Sequence, residues 1–210
     1  MDFEGFTKAD FDVFLIDGLE ARMDALKETV RPKLESLGHY FSPMLSTLTG
    51  DEMFVHVAKH ARRTINPPKD TWVAFANNPR GYKMLPHFQI GLWNTHLFVW
   101  FAIIYEAPQK ELMGARLAKK TNKIYKEIPK DFAWSLDHTK PETLKHGQVS
   151  KDELNSYFDR LQNVKKAELL TGFVIDRENA IQLGGAGLLQ QIEKVFEKVA
   201  PIYKIVLNIK

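Results

Sequence analysis

Seven apolar residues, Leu19, Met23, Leu26, Val30, Leu34, Leu37 and Phe41, follow one another at intervals of 4, 3, 4, 4, 3 and 4. At about 100° of rotation per residue this spacing gathers all seven on one stripe of a helix, and such a stripe is stable only under another layer of structure. The chain therefore has to supply that layer. Pro32 is expected to kink or divide the helix, because proline lacks the N–H and crowds the preceding turn. Ser42-Pro43 reads as a second break. Ahead of the stripe, Thr7 followed by Asp10 is a capping pattern for a short turn carrying Phe11 and Phe14.

The covering layer reads as a sheet. Residues 54–60, 71–76, 87–93 and 97–105 are short β-branched or aromatic runs. Asn66-Pro67-Pro68, Asn78-Pro79-Arg80-Gly81 and Trp93-Asn94-Thr95 separate them as turns, which suggests an antiparallel meander. The run at 54–60 is also compatible with a helix. Pro108 to Ile128 reads as one amphipathic helix with Met113, Leu117, Thr121, Ile124 and Ile128 on one side. A strand is expected at 131–136 and another at 167–175. Between them Ser150 and Glu153 form a capping box that opens a helix to about Leu161. A last helix runs from about Gly187 until Pro201 interrupts it. With no internal repeat and no long linker, residues 1–210 read as a single α+β domain, a mainly antiparallel sheet packed against several helices.

Composition narrows the function classes. The absence of cysteine removes disulfides, thiolate metal sites and thiol nucleophiles, so a metal would need His, Asp or Glu ligands. No cofactor is implied. The 29 basic and 26 acidic residues give +3, too even a balance to announce a nucleic-acid or membrane protein. The acidic opening Met1-Asp2-Phe3-Glu4 lacks the pattern of a signal peptide, and the nine residues 97–105 are too short to span a bilayer. A cytoplasmic protein with no membrane partner is the expectation.

Each candidate motif has a plain structural alternative. Gly184-Gly185-Ala186-Gly187 precedes a helix but lacks the rest of a P-loop or dinucleotide fingerprint, so a helix-opening loop is the better reading. His56 and His60 have the spacing of paired metal ligands, yet Val57 stands where a metalloprotease carries glutamate and no third ligand can be named. Arg116, Lys119, Lys120, Lys123, Lys126 and Lys130 form a ridge on the helix at 108–128. It could follow a phosphate backbone, but without interleaved aromatics a solvated face is preferred and nucleic acid is not expected. Asp137-His138, close to Trp134, is either an oriented acid–base pair or a turn residue beside an exposed histidine; the second is favoured.

The richest stretch runs from Arg62 to Trp93. In a strand over 87–93, Phe88, Ile90 and Leu92 face one way while His87, Gln89 and Trp93 face the other, and that second face is expected to be solvated. Arg62, Arg63, Arg80 and Lys83 lie on adjoining segments and suit carboxylate or phosphate. These seven residues are the candidate binding set.

The same residues carry a resemblance. Thr49-Gly50-Asp51-Glu52-Met53-Phe54, His56 to Arg63, Asn66-Pro67-Pro68 with Thr71 to Phe75, and Arg80-Gly81-Tyr82-Lys83 with Pro86 to Trp93 closely resemble the YktB family of uncharacterised bacterial proteins. The likeness extends over nearly the whole chain. It implies an α+β fold and a cytosolic protein of Gram-positive bacteria, and it brings no catalytic residue to transfer. The sequence thus favours a protein that binds a small anionic or nucleotide-like ligand through the candidate set. An enzyme acting on such a ligand, with His56, His60 or His87 carrying protons, is one alternative. A nucleic-acid or protein interaction module using the ridge is the other. Oligomeric state is not legible.

Overall fold

In the computed structural model, which describes residues 3–209, the stripe is buried: Leu26, Val30, Leu34, Leu37 and Phe41 are at most 3% exposed. A short α1 (Lys8–Asp12) opens on its cap, Thr7 N–H donating to the Asp10 carboxylate at 2.7 Å. The stripe occupies α2 (Leu19–Ala25), a π turn (Leu26–Val30) and α3 (Arg31–Thr49). Pro32 falls in the first turn of α3, where its missing donor costs nothing, directly after the widened turn. Pro43 does not break the helix as expected. Buried Phe41 and Leu45 on either side hold α3 together by packing, and it ends at Gly50, whose φ is 85°.

The strands are β1 (Phe54–Val57), β2 (Asp70–Ala76), β3 (His87–Trp93) and β4 (His96–Ile103). After α4 (Lys110–Ala118) and α5 (Thr121–Glu127) come β5 (Ala133–Ser135) and the two-residue β6 (Leu144–Lys145). The chain closes with α6 (Lys151–Asn163), β7 (Leu169–Asp176) and α7 (Arg177–Leu207). They build one seven-stranded sheet in the order β1-β2-β3-β4-β7-β5-β6, antiparallel throughout. The fold class is α+β. No helix among the described residues is long and apolar enough to cross a membrane.

Two helix boundaries differ from expectation. The helix read at 108–128 is divided at Lys119-Lys120 into α4 and α5. α7 continues through Pro201 instead of ending there, and a further helical segment, 177–183, precedes the expected start near Gly187. Gly184, at φ 61° and ψ −174°, is non-helical and divides α7 into two helical segments, the second opening at the glycine cluster as the sequence suggests. The adjacent Gly185 has to be glycine because a Cβ there would come 1.4 Å from the Phe3 carbonyl oxygen, where the N-terminal segment crosses the helix.

The two faces of the sheet are covered differently. Val73, Phe88, Ile90, Val99 and Phe101 point to the helices and join the main core with Phe41 of α3 and Phe196 of α7. The opposite face carries a second apolar cluster, built around Trp93, Phe98, Trp100 and Leu170, to which no helix contributes. There the aromatics lie flat over the strands: a Cβ at Gly91 would come 2.3 Å from the Phe98 ring. What covers this face is loop, from segments 58–69 and 136–143.

Candidate functional site

His87, Gln89 and Trp93 do point away from Phe88, Ile90 and Leu92, because each residue of β3 is matched across the ladder with its same-face neighbours, Gln89 with Ala74 and Trp100. They are not solvated. His87 is 0%, Gln89 6% and Trp93 9% exposed, because the tryptophan cluster and the loops close over them. His87 Nδ1–H donates to the Leu85 carbonyl at 2.8 Å, and Nε2 accepts from the Gln89 amide at 2.8 Å. Both nitrogens are thereby used, and burial lowers the pKa of this neutral histidine to about 4. His87 is thus buried with both ring nitrogens bonded inside the protein and lines neither part of the adjacent cleft.

A cleft opens beside it. Its outer part, about 730 Å3, is lined by Trp72 and Trp93, with Arg63, Lys69 and Lys83 at the rim and Asp70 and His138 deeper in. Sharing Asp70, Trp72, Trp93 and His138 with it is a small inner cavity of about 20 Å3 whose lining also includes Gln89, Trp100 and Ser135. Trp72 is fixed by its indole N–H donating to the Tyr82 hydroxyl at 2.9 Å. Lys83 lies 6.0 Å over the Trp72 ring and 3.8 Å from the Glu106 carboxylate. The loop carrying Asp70 is tied down by Arg22, whose guanidinium donates to the Pro68 carbonyl at 2.9 Å.

Of the seven candidate residues, Gln89, Trp93, Arg63 and Lys83 meet at this cleft. Arg62 and Arg80 are exposed and line neither part, and Arg80 serves the turn, its N–H donating to the Asn78 side chain. His56 and His60 do not pair as ligands, because β1 ends between them. His56 Nε2 meets the Asn78 carbonyl at 3.0 Å, and His60 Nε2 meets the Thr71 hydroxyl at 3.1 Å. Burial, helped by Arg63, Arg31 and Lys83, lowers His60 to about 4. The ridge is corrected too: the break at Lys119-Lys120 splits its six cations between two helices and a loop, and Arg116 donates to the Val206 carbonyl near the end of α7.

Asp70 and Glu168 were not among the candidates, and His138, which lines the cleft, is the histidine of the Asp137-His138 dipeptide. Asp70 heads β2, and burial raises its carboxyl to about 6 against the opposing pull of His138, Arg63 and Lys83. Glu168, 4% exposed just before β7, accepts His138 Nδ1–H at 2.8 and 2.9 Å and the His138 backbone N–H at 2.8 Å. Burial lowers the His138 pKa, but the Glu168 hydrogen bond and charge outweigh it, and the net change is upward. Asp137 is the turn residue that the sequence suggests, holding the Thr139 N–H and hydroxyl; His138 beside it is the oriented imidazole of the alternative reading. Asp137, His138 and Glu168 bring donor atoms within 4.8 Å of one another. Those atoms also make contacts within the protein, Asp137 with Thr139 and Lys140 and Glu168 with His138.

Comparison with known proteins places the chain among relatives of matching length. A family profile described as "Domain of unknown function (DUF1054)" matches residues 6–203. A UPF0637 protein of Bacillus velezensis is 58% identical over 200 residues, covering 95% of both chains. A UPF0637 protein of Bacillus licheniformis is 55% identical over the same extent, and one of Bacillus cytotoxicus is 51% identical over 205 residues, 98% of this chain and 99% of its own.

Proposed function

The chain belongs to the DUF1054 family, the UPF0637 proteins of bacteria, and from that premise and the cleft's chemistry we propose that it binds a small anionic ligand with a flat, ring-like portion. The observation that carries the reading is the convergence, in one ligand-sized cleft, of two tryptophan faces with Arg63 and Lys83 at the rim. Tryptophan offers a flat apolar wall for a ring, and the cations attract phosphate or carboxylate. Gln89, Asp70 and Ser135 at the floor supply the few polar groups that orient a ligand.

A ligand that binds only the folded chain raises its melting temperature by mass action, by about 2.7 kcal/mol of stability at a hundredfold excess over Kd. The test is a thermal-shift series with inorganic phosphate, benzoate, phenyl phosphate and adenosine monophosphate. Phenyl phosphate and the nucleotide are expected to shift the wild type more than phosphate or benzoate does. The double variant Arg63→Gln, Lys83→Gln should lose the shift, read against its own unliganded melting temperature, which falls somewhat at neutral pH because both cations hold the buried Asp70 charge. Equal shifts in the double variant and the wild type, or no shift with any of the four compounds, would refute the reading.

A further inference from the structure

The inner cavity offers about 20 Å3, and one water needs roughly 10–15 Å3 and two to four polar partners. Asp70, Gln89, Ser135 and His138 line it. The outer cleft in front of it is ligand-sized, and Asp70 and His138 belong to the linings of both. The fold thus sets a water-sized space behind a ligand-sized one, with a carboxyl and an imidazole at the junction.

The imidazole is held as a proton carrier has to be. Glu168 takes the Nδ1–H, and Tyr105 N–H at 3.3 Å fixes Glu168 in turn. The lone pair is therefore left on Nε2. Nε2 has no hydrogen-bond partner among the described residues and is not among their buried unpaired side-chain atoms. A histidine with one nitrogen bound to a buried carboxylate and the other open to a cleft is oriented for proton transfer.

We propose that the cleft is hydrolytic, its substrates being phosphoric esters that carry a flat ring, with His138 as general base, Asp70 as general acid and Glu168 as the positioning residue. The proposal rests on the binding reading above. The oxygen of a water in the inner cavity attacks phosphorus while its proton passes to His138 Nε2. The bond from phosphorus to the leaving oxygen breaks, that oxygen keeps the electron pair, and the Asp70 carboxyl protonates it. Arg63 and Lys83 face the charge on the non-bridging oxygens. The imidazolium then returns its proton through solvent to the Asp70 carboxylate, so the sum is ester plus water giving alcohol plus phosphate.

The charged surroundings admit these roles in a minority of molecules near pH 6 to 7. His138 faces Glu168 before β7, Asp70 on β2, Lys83 before β3, and Asp137 and Lys140 of its own loop. Asp70 faces His138, Arg63 and Lys83. With Asp70 titrating at about 6 and His138 above its usual value, carboxylate with imidazolium is the majority form across that range, and the minority with a neutral carboxyl and a neutral imidazole is the one that turns over.

The test uses the full chain with two probes, 4-nitrophenyl phosphate and bis(4-nitrophenyl) phosphate, which separate monoester from diester substrates. Nitrophenolate release is read after an alkaline quench, and binding of 4-nitrophenyl phosphate to the His138→Gln variant is measured by calorimetry. The wild type should cleave at least one probe about 100-fold faster than His138→Gln purified identically, with a bell-shaped pH profile. Glu168→Gln should retain part of the turnover and move the alkaline limb to lower pH, a change that mere loss of fold would not give. Binding without turnover, or turnover unchanged in His138→Gln, overturns the hydrolytic proposal and leaves the binding reading standing. Failure to bind overturns both.

Discussion

Replacing Asp70 with asparagine keeps the shape of the side chain and removes its ionisation. Burial raises the Asp70 carboxyl from 3.8 to about 6 in the folded chain. A group whose folded value is raised contributes stability fully below its unfolded value and loses it as pH rises through the folded one. Each pH unit of displacement is worth about 1.4 kcal/mol, so the ionised carboxylate costs the wild type on the order of 2–3 kcal/mol above pH 7 relative to pH 4. Asp70→Asn has no such cost. For a chain of this size 1 kcal/mol moves Tm by about 2–4 °C, so the variant should melt about 5–10 °C above the wild type at pH 7.5 and only about 2–4 °C above it at pH 4.5, where most of the cost is gone. Urea midpoints at the same pH values check the result against scan-rate effects. Adding Arg63→Gln to the wild type should widen the gap at pH 7.5, because Arg63 holds the Asp70 value down. Equal melting of the wild type and Asp70→Asn at both pH values, or a less stable variant at pH 7.5, would show that Asp70 is not held against its charge.

Three further outcomes follow from burial and helix geometry. Leu26→Asp and Leu37→Asp put an unpaired charge where the wild-type residues are 3% and 0% exposed, and both should abolish soluble expression, whereas exposed Lys27→Asp should express and melt normally. His87→Ala leaves a cavity and strips the Gln89 amide of its partner, so it should cost about 2–4 kcal/mol in urea unfolding even though the alternation of β3 alone suggests a free surface. Lys119, Lys120, Lys123 and Lys126, divided between the break after α4 and α5 itself, should give no appreciable DNA or RNA binding at physiological salt; tight, steeply salt-dependent binding lost in the quadruple Lys→Gln variant would restore the ridge.

Local pattern carried most of the fold. The period of the Leu19–Phe41 stripe located the buried helix, and the turn residues on either side of 87–93 bounded β3 to the residue. Alternation also told which residues of β3 share a face. It did not tell what covers that face, because the cover is loop, and loops have no period to read. Hence His87 and Gln89 were expected in water and are buried. Proline was over-weighted for a similar reason: its local cost at Pro43 and Pro201 is outweighed by tertiary packing along α3 and α7, which involves residues far away in the chain. The Glu168–His138 pair is the plainest case of information absent from local sequence. Asp137-His138 was visible as a dipeptide, but its partner lies 30 residues further on, and only the placement of β7 beside β5 brings the two together.

The four tryptophans provide the most direct test of the central claim, since Trp72, Trp93 and Trp100 line the cleft while Trp134 is buried on the helix side with its indole N–H on His146 Nδ1 at 2.9 Å. Each indole N–H gives its own proton–nitrogen NMR signal, and phenyl phosphate can be titrated into the labelled chain while all four are followed. The account predicts saturable shifts at Trp72 and Trp93, the two that line the outer cleft, a smaller one at Trp100 behind them, and none at Trp134. A ligand that moves Trp134 as much as Trp72, or that leaves Trp72 and Trp93 unmoved at saturation, would contradict it.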